Sequence, residues 1–281
     1  SAGRVQSVAV RLIVERENEI INFKTDNFFR IDADFTTKDG SLLKAKLPSN
    51  LNSLKEAQDF LELNKGAQFQ VGDLVKKPAK KSPAPPFTTS TLQQEASRKL
   101  FYNVSRTMQL AQRLYEAGLI TYMRTDSVNL SNEAKKGAQA EIESAYGTEF
   151  HKERSYKGKS KGAQEAHEAI RPTDFAVHSA GLDRDQVRLY ELIWKRAIAS
   201  QMSDAQLERT NVSITANTHD KKFTANGEIV KFEGFLKVYL ESTDDEDLEQ
   251  QGLLPALTVG QDLLSKKITA TERFTRPPYR Y

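Results

Sequence analysis

Hydrophobic positions change their period several times along this chain, and each change marks an element. From Val5 to Glu19, Val5, Val8, Ala9 and Leu12 recur at helical spacing, while Arg11, Glu15, Arg16 and Glu17 supply polar surface; a helix is predicted there. Between Asn27 and Phe35 the period shortens to two, with Phe29, Ile31, Ala33 and Phe35 alternating with polar residues as in a half-buried strand, and Lys38-Asp39-Gly40-Ser41 supplies a hairpin turn. Leu54, Ala57, Phe60 and Leu61 predict a helix over Ser53 to Leu63, followed by a strand from Gln68 to Lys76. The next residues, Lys76 to Pro86, contain four prolines. Proline lacks a backbone donor, so this stretch is read as a linker, excluded from helix and from a central strand.

Beyond the linker, Thr89 to about Met202 reads as nearly all helix. Ser105 opens a helix closed by Gly118, Ser131 opens one closed by Gly147, and Asp183 opens a long one with Val187, Tyr190, Trp194 and Ile198 on one side. Glu149 to Lys161 is polar and basic, as in a surface loop. From Glu208 the period returns to two, through Val212, Ile214 and Ala216, then Phe223 and Ala225, then Ile229 to Leu240 by way of Phe235 and Val238, and finally Ile268 to Phe274. Asp244-Asp245-Glu246-Asp247 reads as an exposed turn. The order predicts an α+β multidomain chain, with a helical domain inserted into a β domain whose two halves pair across the insertion.

Composition narrows the classes. The chain has 281 residues, 28% charged and 38% hydrophobic, enough for two compact domains. No window approaches the roughly 20 apolar residues that cross a bilayer, so no membrane association is expected. The absence of cysteine excludes disulfides and thiolate zinc sites within these residues and suits a reducing cytosol. Ser1-Ala2-Gly3-Arg4 has neither an initiator methionine nor a signal-peptide pattern, and the chain stops at Pro277-Pro278-Tyr279-Arg280-Tyr281; both ends read as cuts inside a longer protein. A net charge of only +3 confines any nucleic-acid site to a local groove.

The chemistry concentrates in Leu114-Tyr115-Glu116-Ala117-Gly118-Leu119-Ile120-Thr121-Tyr122-Met123-Arg124-Thr125-Asp126-Ser127. Gly118 ends a helix, so the following residues leave it extended, and in an extended segment Tyr122 and Arg124 project to one face. A phenol is a weak nucleophile at neutral pH, but a fixed cation stabilises both the phenolate and the charge on a phosphate under attack. On spacing alone a buried structural tyrosine accounts for the same pair. On the preceding helix, Gln109, Gln112 and Glu116 form one polar stripe opposite Leu110 and Leu114. Asp32-Ala33-Asp34 is spaced like a ligand pair, but its place in an alternating strand makes it a solvent face. The acidic turn near Asp245 has no ordering element around it, so no metal site is expected in this chain.

The string around Tyr122 resembles the active-site motif of bacterial type IA DNA topoisomerases, with Met123 similar to the topoisomerase I subgroup. Gln164-Glu165-Ala166-His167-Glu168-Ala169-Ile170-Arg171-Pro172 resembles the family's second signature, Phe87 to Gln94 the start of its inserted helical domain, and Ser1 to Ser7 the start of a helix in its single-strand-binding domain. The resemblance implies that Tyr122, with Arg124 as catalytic partner, forms a 5′-phosphotyrosine during ATP-independent relaxation of negatively supercoiled DNA. It implies DNA contacts by Ser1, Arg4, Gln6, Gln112, Glu116, Thr121, Thr125, Asp126, His167 and Arg171. A helix N-terminus with Arg4 and small polar residues is also a plausible anion seat by itself.

The resemblance further implies a domain plan: residues 1–20 in the single-strand-binding domain, 21–84 and 205–275 in a β-rich arch and hinge, 85–204 in a CAP-like, winged-helix-like domain carrying Tyr122, and 276–281 returning toward the single-strand-binding domain. Mg²⁺ is expected in the complete enzyme, held by an N-terminal metal-binding domain that precedes Ser1; this piece is expected to be inactive alone. The expected partners are single-stranded DNA and that N-terminal domain, in the bacterial cytoplasm at the nucleoid. The rival reading is a non-catalytic single-strand-binding module in which Tyr122 stacks on a base.

Overall fold

The computed structural model describes residues 3–156, 168–239 and 254–281. Its strands are β1 (Asn27–Thr36), β2 (Leu42–Lys46), β3 (Phe69–Lys81), β4 (Ala205–Ala216), β5 (His219–Phe232) and β6 (Asp262–Phe274), and its helices are α1 (Arg4–Ile21), α2 (Leu54–Leu63), α3 (Thr89–Leu100), α4 (Val104–Glu116), α5 (Asn132–Ala145) and α6 (Arg184–Ser200). The chain forms two compact units, one of Ser1–Lys77, Arg209–Glu228 and Gln251–Tyr281, the other of Pro78–Glu208 and Ile229–Gln250. Three of the divisions fall within β3, β4 and β5. Each unit has its own hydrophobic core.

The six strands close into a barrel ordered β1-β2-β5-β4-β3-β6. β1 alternates as its sequence demands, with Phe29, Ile31, Ala33 and Phe35 buried. It pairs antiparallel with β2, Phe35 opposite Leu43, and with β6, from Asn27 opposite Phe274 to Thr36 opposite Leu264, with a bulge at Asp34/Phe35. Closure leaves no open sheet edge. In the interior, the Phe35 ring lies 5.0 Å from Phe69 and 5.6 Å from Phe223, and Phe60 of α2 lies 5.9 Å from Phe223. Ser53 caps α2 by accepting from the Glu56 N–H at 3.2 Å, and Ala57 and Phe60 are buried beneath it. Asp32 and Asp34 sit on the outward positions of β1, opposite Lys46 and Lys44, and Asp32 is paired with Arg30 at 3.1 Å.

α1 forms where helical spacing placed it, but Val8, Val10, Leu12 and Val14 are all exposed. The chain's last residues return to this helix. Arg16 donates to the Tyr279 carbonyl at 2.6 Å and lies 4.4 Å over the Tyr281 ring, while Arg280 pairs with Glu17.

The second unit is built on α6, whose Leu189, Ile193, Ala197 and Ile198 are fully buried. Asp183 caps it, accepting from the Asp185 and Gln186 N–H groups at 3.0 and 2.8 Å. Asn103, not Ser105, caps α4, accepting from the Arg106 N–H at 2.8 Å. Ser131 and Gly147 bracket α5 as predicted. α3 ends on Phe101, which takes the left-handed conformation (φ 60) that glycine usually supplies at a helix end and is 88% exposed.

Several expectations need correction. The proline stretch is not a free linker: β3 runs on through Pro78 to Lys81, because proline's φ suits extended backbone and only its donor is missing. Pro83 and Pro86 are buried, and Arg196 donates to the Pro85 carbonyl at 2.7 Å. Phe235 and Val238 are not in a strand. Gly234–Lys237 is a 3-10 turn, forced where Gly234 (φ 50) sits so close to the Ser203 and Asp204 carbonyls that an added Cβ would lie 2.5 Å from the first. Residues 119–130 and 168–183 of the helical block are irregular, held by isolated bridges. The predicted acidic turn at Asp244 to Asp247 lies outside the described residues.

Candidate active site

The segment after α4 owes its course to its helix end. The Ala117 N–H donates to Arg113 O at 3.0 Å, the Gly118 N–H to Tyr115 O at 2.8 Å and the Leu119 N–H to Leu114 O at 2.9 Å, with Gly118 at φ 71. This left-handed step turns the chain off the helix axis. Burial then alternates: Met123, Thr125 and Ser127 point inward, while Tyr122, Arg124 and Asp126 are exposed. The common face for Tyr122 and Arg124 is therefore present, and Tyr122, at 42% exposure, is not a core tyrosine. Among the described residues neither Arg124 nor Asp126 has a hydrogen-bond or ion-pair partner. An exposed guanidinium without an internal partner is free to take an anion.

Two neighbouring segments hold this one. On one side Thr121 and Arg171 exchange bonds: the Thr121 N–H donates to Arg171 O at 2.9 Å, and the Thr121 hydroxyl accepts from the Arg171 N–H at 3.0 Å while donating to Ala169 O at 2.7 Å. Ile120 bridges Pro172, and the Thr173 hydroxyl donates to Gly118 O at 2.7 Å. On the other side α3 supplies Thr89, whose N–H donates to Thr125 O at 2.9 Å. The Thr89 hydroxyl lies 2.8 Å from Met123 O and accepts from the Thr125 N–H at 2.9 Å. Thr89 can do this because Thr88 is the N-cap, which puts Thr89 in the first turn of α3.

The remaining expected contacts divide. Gln112 and Glu116 share a face of α4 and are bonded to each other at 2.6 Å; Gln109 is exposed. Thr121 and Thr125 spend their hydroxyls on backbone, Thr125 accepting from the Ser127 N–H at 3.0 Å. Arg171 is committed internally, with Nη2 at 2.6 Å and Nε at 3.2 Å from Glu168 and Nη1 donating to Pro172 O at 3.0 Å. Glu168 also accepts from the Ser131 N–H, the N-cap of α5. Burial pushes the Glu168 carboxyl up, but the Ser131 and Arg171 donors outweigh it and hold it below the usual range. Gln6 lies in the other unit, its side-chain carbonyl accepting from the Gly3 N–H at 3.3 Å. Ser1, His167 and the Arg4 side chain lie outside the described residues.

Sequence reasoning missed three supports of this site: Thr89, Glu168 and Tyr115. The Tyr115 ring meets that of Tyr122 edge to face, at 5.3 Å and 65°. The run Thr88-Thr89-Ser90-Thr91 was the available signal for Thr89, since it marks a helix start rich in hydroxyls. Among the described residues no group of three or more His, Asp or Glu side chains gathers to hold a metal ion, and no helix is long and apolar enough to cross a membrane.

A barrel with a second, helical unit that presents a tyrosine beside an unpaired arginine defines the class to seek among known proteins. The family model described as DNA topoisomerase matches residues 1–281, and the chain belongs to that family. Within it, the chain is similar to DNA topoisomerase 1 of Zymomonas mobilis subsp. mobilis, at 46% identity over 299 residues, covering all of this chain and 24% of that protein. It is 43% identical over 304 residues to DNA topoisomerase 1 of Rickettsia bellii, covering 38% of that protein. A structure of full-length topoisomerase I from Thermotoga maritima matches it with a TM-score of 0.82 at 33% identity, over 100% of this chain and 46% of that one. The chain thus spans between about a quarter and a half of the length of these relatives. The expected kinship with bacterial type IA topoisomerases is borne out.

Proposed function

We propose that this chain carries the strand-cleaving tyrosine of a type IA DNA topoisomerase, an enzyme that relaxes negatively supercoiled DNA without ATP. The observation that carries the reading is the pairing of an exposed Tyr122 with an exposed, unpartnered Arg124 on one face of a segment that is otherwise locked. In the proposed step the Tyr122 oxygen bonds to phosphorus as the P–O3′ bond breaks, leaving a 5′-phosphotyrosine, and the proton lost by the phenol ends on the departing 3′ oxygen. Arg124 stabilises the extra negative charge on the phosphate during attack. The bond energy stays in the phosphotyrosine, so the 3′ hydroxyl reseals the strand by the reverse attack after the other strand has passed.

In this reading the helical unit is the CAP-like, winged-helix-like domain, the barrel unit is the arch and hinge, and the helical unit moves to open the gate. Gln112 and Glu116 line the cleft, Asp126 lies beside it, and Ser1, Arg4, Gln6 and His167 meet the DNA backbone. Thr121, Thr125 and Arg171, whose polar groups are bound internally, act by shaping the segment. By the family resemblance, the Mg²⁺ ligands belong to a metal-binding domain outside this chain, in a bacterial cytoplasmic enzyme acting on single-stranded DNA; the described residues gather no carboxylate cluster of their own.

The test is covalent capture. In the full-length protein, Tyr122→Phe should abolish denaturant-resistant DNA adducts while preserving binding to single-stranded oligonucleotides, because stacking survives loss of the hydroxyl. Adducts that persist in this variant would remove Tyr122 from the chemistry.

A further inference from the structure

A tyrosine with 42% of its surface exposed, whose hydroxyl has no hydrogen-bond partner among the described residues, has several rotamers open to it. Among the described residues one aromatic ring meets that of Tyr122: the Tyr115 ring, edge to face at 5.3 Å and 65°. Tyr115 comes from the last turn of α4, a rigid base, since Leu110, Ala111 and Leu114 of that helix are buried in the core. Its backbone is fixed as well, because the Tyr115 carbonyl accepts from the Gly118 N–H at the turn. On the far side of the turn Thr121 is tied to Ala169 and Arg171. Two anchored backbones therefore bring two rings together across a left-handed glycine.

Core packing does not explain this contact. Tyr115 is itself 40% exposed, and its hydroxyl has no hydrogen-bond partner among the described residues. What the side chain offers is an aromatic edge and face. We infer that Tyr115 is a positioning residue for the proposed nucleophile: its ring holds the Tyr122 phenol in one orientation beside Arg124. The inference rests on the reading of Tyr122 as the attacking group. An edge-to-face pair of this kind shifts a rotamer population by roughly two- to twelvefold. That is the size of effect expected on the rate of attack, with no effect on the affinity for DNA.

The experiment measures single-turnover adduct formation on a labelled single-stranded oligonucleotide by the full-length protein, together with oligonucleotide affinity and melting temperature. Tyr115→Phe, which keeps the ring, should stay within about twofold of the parent rate. Tyr115→Ala should slow adduct formation by about three- to tenfold and leave affinity and melting temperature unchanged. An unchanged rate in Tyr115→Ala, with adducts still lost in Tyr122→Phe, would overturn the positioning role alone. A matching loss of affinity would make Tyr115 a DNA contact, and a lowered melting temperature would make it structural; either outcome also overturns the inference. Adducts surviving in Tyr122→Phe would overturn the reading beneath it.

Discussion

The β1 strand of the barrel and the Tyr122 segment share a pattern of burial and differ in what holds them. Both alternate between inward and outward residues. In β1 the inward set is Phe29, Ile31, Ala33 and Phe35, and the backbone is paired with β6 along its whole length and with β2 from Asp32 to Thr36. In the Tyr122 segment the inward set is Met123, Thr125 and Ser127, and the backbone is secured by isolated bonds. Some run between backbone groups, as from Thr121 to Arg171 and from Thr89 to Thr125, and some come from the hydroxyls of Thr89, Thr121 and Thr173. A ladder with an apolar face places residues by area and tolerates small losses. A segment held by a few isolated bonds, several of them from hydroxyls, places residues by those individual bonds, so one atom removed is felt at the exposed face. That difference suits a segment proposed to present chemistry rather than a strand that fills a core.

Substitutions can break the comparison at either end. The largest effect on stability belongs to the barrel: Phe35→Ala removes a ring packed against Phe69 and Phe223 and should cost about 3–5 kcal/mol, read as a shift of the denaturant midpoint. Thr89→Val keeps the shape but leaves the Thr125 N–H without its acceptor. It should cost about 1–3 kcal/mol and lower adduct formation more than its effect on global stability accounts for; equal effects of Thr89→Val and of a surface control on adduct yield would show that the hydroxyl clamp does not place Tyr122.

The smallest effect is on pH dependence. Glu168 is held below the usual carboxylate range in the folded chain, so its contribution is fully present above the unfolded value and is lost as pH falls through the depressed folded value. Hydrogen exchange at the Ser131 amide should therefore lose protection on acidification below about pH 4, while barrel amides keep theirs until global unfolding. Glu168→Gln should flatten that dependence.

How much of this was legible in the sequence follows from the range of the forces involved. β1 was legible because its period is local, and the common face of Tyr122 and Arg124 was legible because Gly118 announces the helix end. The pairing of the two β halves across the insertion was legible from the order of the elements, and Asn27 meets Phe274 in it; the closure into one barrel was not, since the strand order β1-β2-β5-β4-β3-β6 is set by long-range contacts. β3 was cut short at Lys76 because proline argues against a strand, yet extended backbone tolerates Pro78. By sequence Ser105 takes the cap of α4 in place of Asn103, which lies two residues earlier and has the same capping chemistry. Thr89 and Tyr115 were missed for a related reason. Thr89 acts across 34 positions, and Tyr115 reaches Tyr122 from a helix across a turn, a geometry that neither the helical nor the extended period describes.

The register of β1 against β6 has a mechanical consequence. Asn27 faces Phe274 at one end of the ladder, next to the points where the chain enters β1 and leaves β6. Tension arriving through those two points loads the end pair first, so the ladder opens like a zipper, one rung at a time, instead of shearing as a whole. The barrel would therefore yield at low force, from that end, before any load passed along the chain to the residues around Tyr122.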